Sequence, residues 1–244
     1  KESYKRRGER MIAKYKLIVD EIEKDILDGK YNKIGKLPTE EELVAHYDVS
    51  RTTVRKAISI LSSKGYIYQV QGSGIFVRES ILKGYISLET LKGLTRDFPN
   101  REIVNKVISI EVMHADEKLA HDMKCEVGTK VYYVKRLRII DGKTFSMEYS
   151  YYNKDIIPYL NEDIAKSSIY SYILEDLKLN IGFADKVIYA DKMDEETAEQ
   201  LELDMSDPAL VIENKVFLNN GDIFEVSKVI HNYKYAKLLK LATF

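Results

Sequence analysis

One cysteine, Cys125, in 244 residues excludes an internal disulfide framework and any zinc site built from several cysteines, and it suits a reducing interior. Long apolar runs are also missing. No stretch approaches the length that spans a bilayer, and the opening KESYKRRGER lacks the apolar segment of a signal peptide, so the expectation is a soluble, cytoplasmic protein with no membrane partner. Histidine is scarce and scattered: His46, His114, His121 and His231 fall in four separate elements with no metal-ligand spacing among them. There is no G-x-S-x-G elbow, no phosphate loop and no Cys/His pairing within a motif. These absences argue for a binding protein rather than an enzyme, with no catalytic residue, no cofactor and no metal.

Charge is near balance overall, at −1, but unevenly spread. Residues 1–78 hold sixteen Lys and Arg against eleven Asp and Glu, whereas residues 79–244 hold twenty-two against twenty-eight. A basic N-terminal third on a neutral protein suits a small DNA-binding module, since phosphate contacts need local positive charge. The run from Lys1 to Arg10 reads as a solubilising tail. At 45% hydrophobic content the chain can bury two modest cores, and the division expected is a DNA-binding domain over 1–78, a linker over 79–84 and an acidic, sensor-like domain over 85–244.

The most specific stretch is Leu37 to Val77. Thr39 and Glu42 form a T-x-x-E capping box that opens a helix running to about Tyr47. Asp48 and Val49 make the turn, Ser50 caps a second helix, and Gly65 ends it. On that second helix Val54, Ala57, Ile58 and Leu61 recur at three- and four-residue steps, leaving Arg51, Thr52, Arg55, Lys56 and Ser59 on the other face. A short, hydroxylated, basic face is what a helix needs to sit deep in a major groove and to fork onto guanine edges or phosphates. A β-hairpin follows, with Gln71-Gly72-Ser73-Gly74 at its tip and no acidic residue between Gly65 and Arg78. Upstream, Tyr15, Ile18, Val19, Ile22, Ile26 and Leu27 mark a first amphipathic helix that closes the core. The order is that of a winged helix-turn-helix.

The remainder carries a weak internal repeat. From Lys106 a strand, a helix opening near Asp116-Glu117 and two strands joined at Asp141-Gly142 follow one another; from Lys186 the same order recurs, with Asp116, Glu117 and Ala120 matched by Asp194, Glu195 and Ala198. Two such units would build one antiparallel sheet with helices against it and a pseudo-twofold, an α+β domain.

The N-terminal motifs Leu37-Pro38-Thr39-Glu40, Val49 to Ile58 and Gly72 to Val77 resemble the GntR-type winged helix, and Arg136-Leu137-Arg138, Asp141-Gly142 and Glu148 resemble the UTRA sensing domain of the HutC branch, whose fold is similar to that of chorismate lyase. This implies a homodimeric transcriptional regulator, usually a repressor, that binds double-stranded operator DNA and responds to a small-molecule effector such as a phosphorylated sugar or an organic acid. The resemblance assigns DNA contact to Arg51, Thr52, Thr53, Arg55 and Gly72, with Ser50 and Gln71 beside them. One position departs from the pattern. Where the family normally carries an arginine that touches DNA, this chain has Glu41, so that contact is missing or replaced, with Lys36 or acceptance from a cytosine amine as substitutes.

For the effector, Arg136 and Arg138 lie two apart on a strand and so share one face, where they could clamp an anion. Ser168 and Tyr170 stand at the head of an amphipathic run whose opening amides would attract negative charge, and Thr95 lies in a GLTRDF loop that faces the ligand in similar sensors. Glu148 joins them only conditionally: across a strict two-residue turn at Asp141-Gly142, Arg136 would oppose Met147, and a bulge or longer loop is needed to bring Glu148 to the arginine face. The alternative function is an architectural or partner-binding DNA-binding protein whose C-terminal domain only dimerises.

Overall fold

The computed structural model describes residues 2–31, 33–78, 85–88, 97–98 and 101–240, with side chains from residue 14 onward. The linker at 79–84 and Thr95 lie outside the described residues. The chain divides into two compact units, one of residues 1–90, 96–100 and 238–244, the other of residues 91–95 and 101–237.

In the first unit, helix α1 (Glu2–Leu27) includes residues 2–10 of the basic run, which reads as a tail in the sequence. It buries Ile18, Val19, Ile22 and Ile26 at helical spacing. Helix α2 (Glu40–Tyr47) carries the reciprocal Thr39/Glu42 capping box and ends at Asp48 in the left-handed region, which turns the chain sharply. Ser50 caps α3 (Arg51–Ser63) by accepting from the Thr53 N–H at 3.2 Å. Val54, Ala57, Ile58 and Leu61 are all buried and join α1 and the hairpin in one core. Glu23 of α1 is buried too, and Lys64 Nζ (3.0 Å) and Tyr66 OH (3.1 Å) both donate to it, so its carboxyl oxygens are not left unpaired in the core. Strands β1 (Ile67–Val70) and β2 (Gly74–Val77) pair antiparallel as the wing, and Gly72 at its tip takes φ +76°, a conformation that suits glycine. A short parallel pair, β3 (Ile86–Ser87) with β10 (Leu238–Leu239), groups with this unit.

The second unit is a six-stranded antiparallel sheet of order β4-β5-β6-β9-β8-β7. The repeat is visible in its boundaries. Strand β4 (Ile103–His114), helix α4 (Glu117–Met123) and strand β5 (Lys130–Ile140) recur 78 residues later as β7 (Ile181–Lys192), α7 (Glu195–Leu201) and β8 (Pro208–Leu218). Each helix is capped by an aspartate, Asp116 or Asp194, and each ends on a left-handed residue, Lys124 or Glu202. The hairpin partners β6 (Lys143–Asn153) and β9 (Ile223–Asn232) pair with each other at the centre of the sheet, which generates the pseudo-twofold.

Alternation sorts the two faces. Odd-numbered Val131 and Leu137 of β5 pack with α4 and α7, whereas even-numbered Tyr132 and Val134 pack with α5 (Glu162–Lys166) and α6 (Ile169–Ser171). Arg136 and Arg138 are therefore on the α5/α6 face. The amphipathic run after Ser168 forms only one α-helical turn before continuing as a π-helical turn over Tyr172–Asp176.

Candidate DNA-reading surface and effector site

Burying Val54, Ala57, Ile58 and Leu61 forces the opposite face of α3 outward. Arg51 and Arg55 project from it with side chains 62% and 65% exposed, beside exposed Thr52. Neither guanidinium is free: Arg51 Nη2 donates to Glu41 Oε1 at 2.7 Å, and Arg55 Nε donates to Glu40 Oε2 at 2.9 Å. The acidic first turn of α2 thus holds both arginines in place. Thr53, expected to contact DNA, is instead buried, and its hydroxyl lies 2.9 Å from that of Ser50. Its visible work is to tie the cap, because the spacing that buries Val54 carries Thr53 inward with it. Gln71 and Gly72 are exposed at the wing tip, and Lys36 lies against the wing, its ammonium 5.5 Å from the centre of the Phe76 ring.

In the second unit, residues from separate elements converge on the α5/α6 face. Asp141 and Gly142 both have positive φ and form a two-residue turn, with Ile140 paired to Lys143 and Ile139 to Thr144. A bulge then skips Phe145, so that Arg138 opposes Ser146 and Arg136 opposes Glu148. The one-residue slip moves Glu148 from the reverse face to the arginine face. Its carboxylate accepts from Arg136 Nη2 (2.8 Å), Arg138 Nε (2.7 Å) and Ser150 Oγ (2.9 Å). Burial by itself would push the Glu148 carboxyl up, but the two guanidiniums override it and hold the group well below the usual carboxylate range. Arg136, 2% exposed, also donates to the Ala165 carbonyl of α5 at 2.8 Å, while Arg138 reaches Asn105 Oδ1 on β4 at 3.3 Å. Asn105 in turn donates to the carbonyls of Lys166 and Ser167, joining the edge strand to the α5–α6 junction.

Profiles of known families match both units: "Bacterial regulatory proteins, gntR family" over residues 14–77, and "UTRA domain" over residues 100–237. The HTH-type transcriptional regulator YydK of Bacillus subtilis is 40% identical over 228 residues, covering 93% of this chain and 97% of its own. Its crystal structure superposes with a TM-score of 0.80, covering 94% of this chain and 99% of that one. This chain belongs to the GntR family. It is a ligand-responsive, DNA-binding transcriptional regulator of the HutC type, and its C-terminal unit is a UTRA domain. The HTH-type transcriptional regulator TreR of Bacillus subtilis is 31% identical over 222 residues, covering 90% of this chain and 93% of its own. A structure titled as the effector binding domain of the B. subtilis trehalose repressor (TreR) is 26% identical, with a TM-score of 0.53 over 58% of this chain and 98% of that one.

Within this GntR-type regulator, the remaining predicted effector residues are placed as follows. Ser168 is half-buried, and its hydroxyl accepts from the Ser171 N–H, serving as the cap of a single turn too short to present a helix dipole. The Tyr170 hydroxyl donates to Glu225 Oε2 at 2.7 Å. Glu225 was not legible as a site residue. It sits on β9 opposite Tyr152, buried, and burial followed by the nearby Glu148 charge raises its carboxyl to about 7. No motif announced it, and only the β6–β9 pairing brings it to the arginine face. His231 is likewise buried, and loss of solvent lowers its imidazole to about 4, so it is neutral at pH 7. A cavity of about 670 Å³ lies on the opposite sheet face over Tyr149, Tyr151, Val187 and Lys228, and none of the effector candidates among the described residues lines it.

Proposed function

We propose that this regulator is a homodimeric repressor whose operator affinity falls when a small anion, a phosphorylated sugar or a related organic acid, binds against Arg136 and Arg138. The observation that supports it best is the charge of the buried cluster: two guanidiniums share one ionised carboxylate, Glu148, and burial favours the neutral form of Glu225. The surplus is positive. Arg136 Nε is buried and without a hydrogen-bond partner among the described residues, so a ligand oxygen would satisfy it. Arg138, more exposed than Arg136, is the residue assigned to clamp the anion, with Ser168 and Tyr170 toward the remainder of the ligand. Repression, the action in TreR's name, is carried to this chain as part of the proposal.

On the DNA side, α3 enters the major groove with Arg51, Thr52 and Arg55, while Ser50 holds the helix start and Lys36, Gln71 and Gly72 approach the backbone from the wing. A dimer offers two such helices to half-sites about 34 Å apart. Ligand need shift the balance between DNA-competent and incompetent states by only about 1–3 kcal/mol to change operator occupancy from several-fold to a hundredfold.

Thermal denaturation of wild type and Arg138→Ala against a panel of sugar phosphates, their unphosphorylated parents and organic acids tests this. At a hundred times its dissociation constant an effector stabilises wild type by about 2.7 kcal/mol. The arginine variant should show no stabilisation, and the unphosphorylated parents should be inert on wild type. A wild-type protein indifferent to every anion in the panel would remove the sensing role assigned to this site and favour a C-terminal domain that only dimerises.

A further inference from the structure

Glu41 stands where the family normally places a DNA-touching arginine, and the structure gives it a definite partner. Its carboxylate is 76% exposed on the face shared with α3, and Oε1 is taken by Arg51 Nη2 at 2.7 Å. Three acidic residues begin α2, but their settings differ. Glu42 is consumed by the capping box through Thr39 N (2.7 Å) and Thr39 Oγ1 (2.9 Å), and Glu40 is only 29% exposed against Arg55. Glu41 alone of the three combines high exposure with contact to an arginine of the reading face. Among the described residues no donor reaches its second oxygen, Oε2.

We propose that Glu41 is a specificity-determining residue of operator recognition, fixing the fork of Arg51 through Oε1 while Oε2 accepts from the exocyclic amine of a cytosine in the major groove. The chemistry excludes the simpler partner. An exposed carboxylate beside a phosphate is repelled, so the favourable neighbour is a donor on a base edge, and the donor that acidic side chains accept from is cytosine N4. Arg51 keeps N–H groups beyond the one given to Glu41, and these match the paired acceptors of guanine. The acid–arginine pair thus reads a cytosine and a guanine side by side. This inference rests on α3 being the groove helix.

The test is enrichment of randomised duplex DNA by the full-length protein, followed by sequencing, for wild type, Glu41→Gln and Glu41→Ala. Wild type is expected to enrich a two-half-site motif with a cytosine preferred about fivefold or more at one position of each half. Glu41→Gln should lose that preference, with adenine gaining there because an amide pairs with adenine, while all other positions hold. Glu41→Ala should leave the position without preference. A carboxylate that serves only the helix dipole of α2 would change the melting temperature slightly and leave the motif untouched, and that result overturns the proposal. Uniformly tighter binding by Glu41→Gln with an unchanged motif overturns it equally, because it marks a repelled phosphate. If wild type enriches no motif at all, the reading of α3 as the groove helix fails first, and the two failures are distinguishable.

Discussion

Replacing Glu148 by glutamine removes one charge and almost no volume, which makes it a clean probe of the cluster on the α5/α6 face. In the wild type the carboxylate takes hydrogen bonds from Arg136, Arg138 and Ser150 at 2.7–2.9 Å and is buried. Without that charge, Arg136 remains 2% exposed with neutral acceptors in place of the carboxylate, the Ala165 carbonyl and the glutamine's own amide oxygen, so its cation loses its ionised partner in a low-dielectric interior. Breaking such a pair from one side costs about 3–5 kcal/mol, a large share of the roughly 5–15 kcal/mol that a domain possesses. Urea unfolding of the full chain followed by circular dichroism and tyrosine fluorescence would measure it, with the transitions of the two units fitted separately. Glu162→Gln supplies the contrast, because it breaks the solvent-exposed Lys166–Glu162 pair and should leave stability almost unchanged. The pH dependence carries a sign. The native carboxyl of Glu148 is depressed, so its stabilisation is present above the unfolded value of about 4.5 and is lost as pH falls; the glutamine variant should lack that loss. If Glu148→Gln unfolds within about 1 kcal/mol of wild type, or no worse than Glu162→Gln, the picture of a charge buried only because it is paired is refuted.

Arg55→Ala should weaken operator binding by about 1–3 kcal/mol if its contact is to a base edge, and unchanged binding in a gel-shift titration would remove α3 as the reader. Glu225 moves stability the other way from Glu148: its carboxyl is raised from 4.5 to about 7, so the domain is more stable in acid and loses up to about 3 kcal/mol as pH climbs through that window. Glu225→Gln should flatten this slope when melting temperatures are compared at pH 5 and pH 8. His231, held neutral with its imidazole lowered to about 4, opposes the trend below about pH 6.5, so the difference between variant and wild type isolates the carboxyl.

What was legible in advance follows the range of the physics. Caps act within one turn, and Thr39 and Ser50 accept the backbone N–H of the third residue on as expected, while Asp116 and Asp194, read only as marking helix starts, do the same. Helical periodicity depends on a single element, and it identified the buried face of α3 residue by residue. It could not tell that Thr53 would be carried inward with that face, or that Glu40 and Glu41 would reach across the turn to Arg55 and Arg51, since partners fifteen and ten residues apart meet only when two helices pack. The run after Ser168 had the composition of a longer helix. It winds a single α-helical turn and then a π-helical one, and local pattern does not distinguish those geometries.

The sequence by itself therefore determined the helix-turn-helix and its wing, the strand-helix-hairpin repeat at an offset of 78, and the basic face of α3, because each depends on interactions between near neighbours along the chain. Tertiary structure decided the effector candidate. The slip at Phe145 turns Glu148 onto the arginine face, and the β6–β9 pairing brings Glu225 to the same cluster from 77 residues beyond Glu148. Register and bulges are chosen by the best burial of a whole sheet, and no single strand carries enough information to specify that choice.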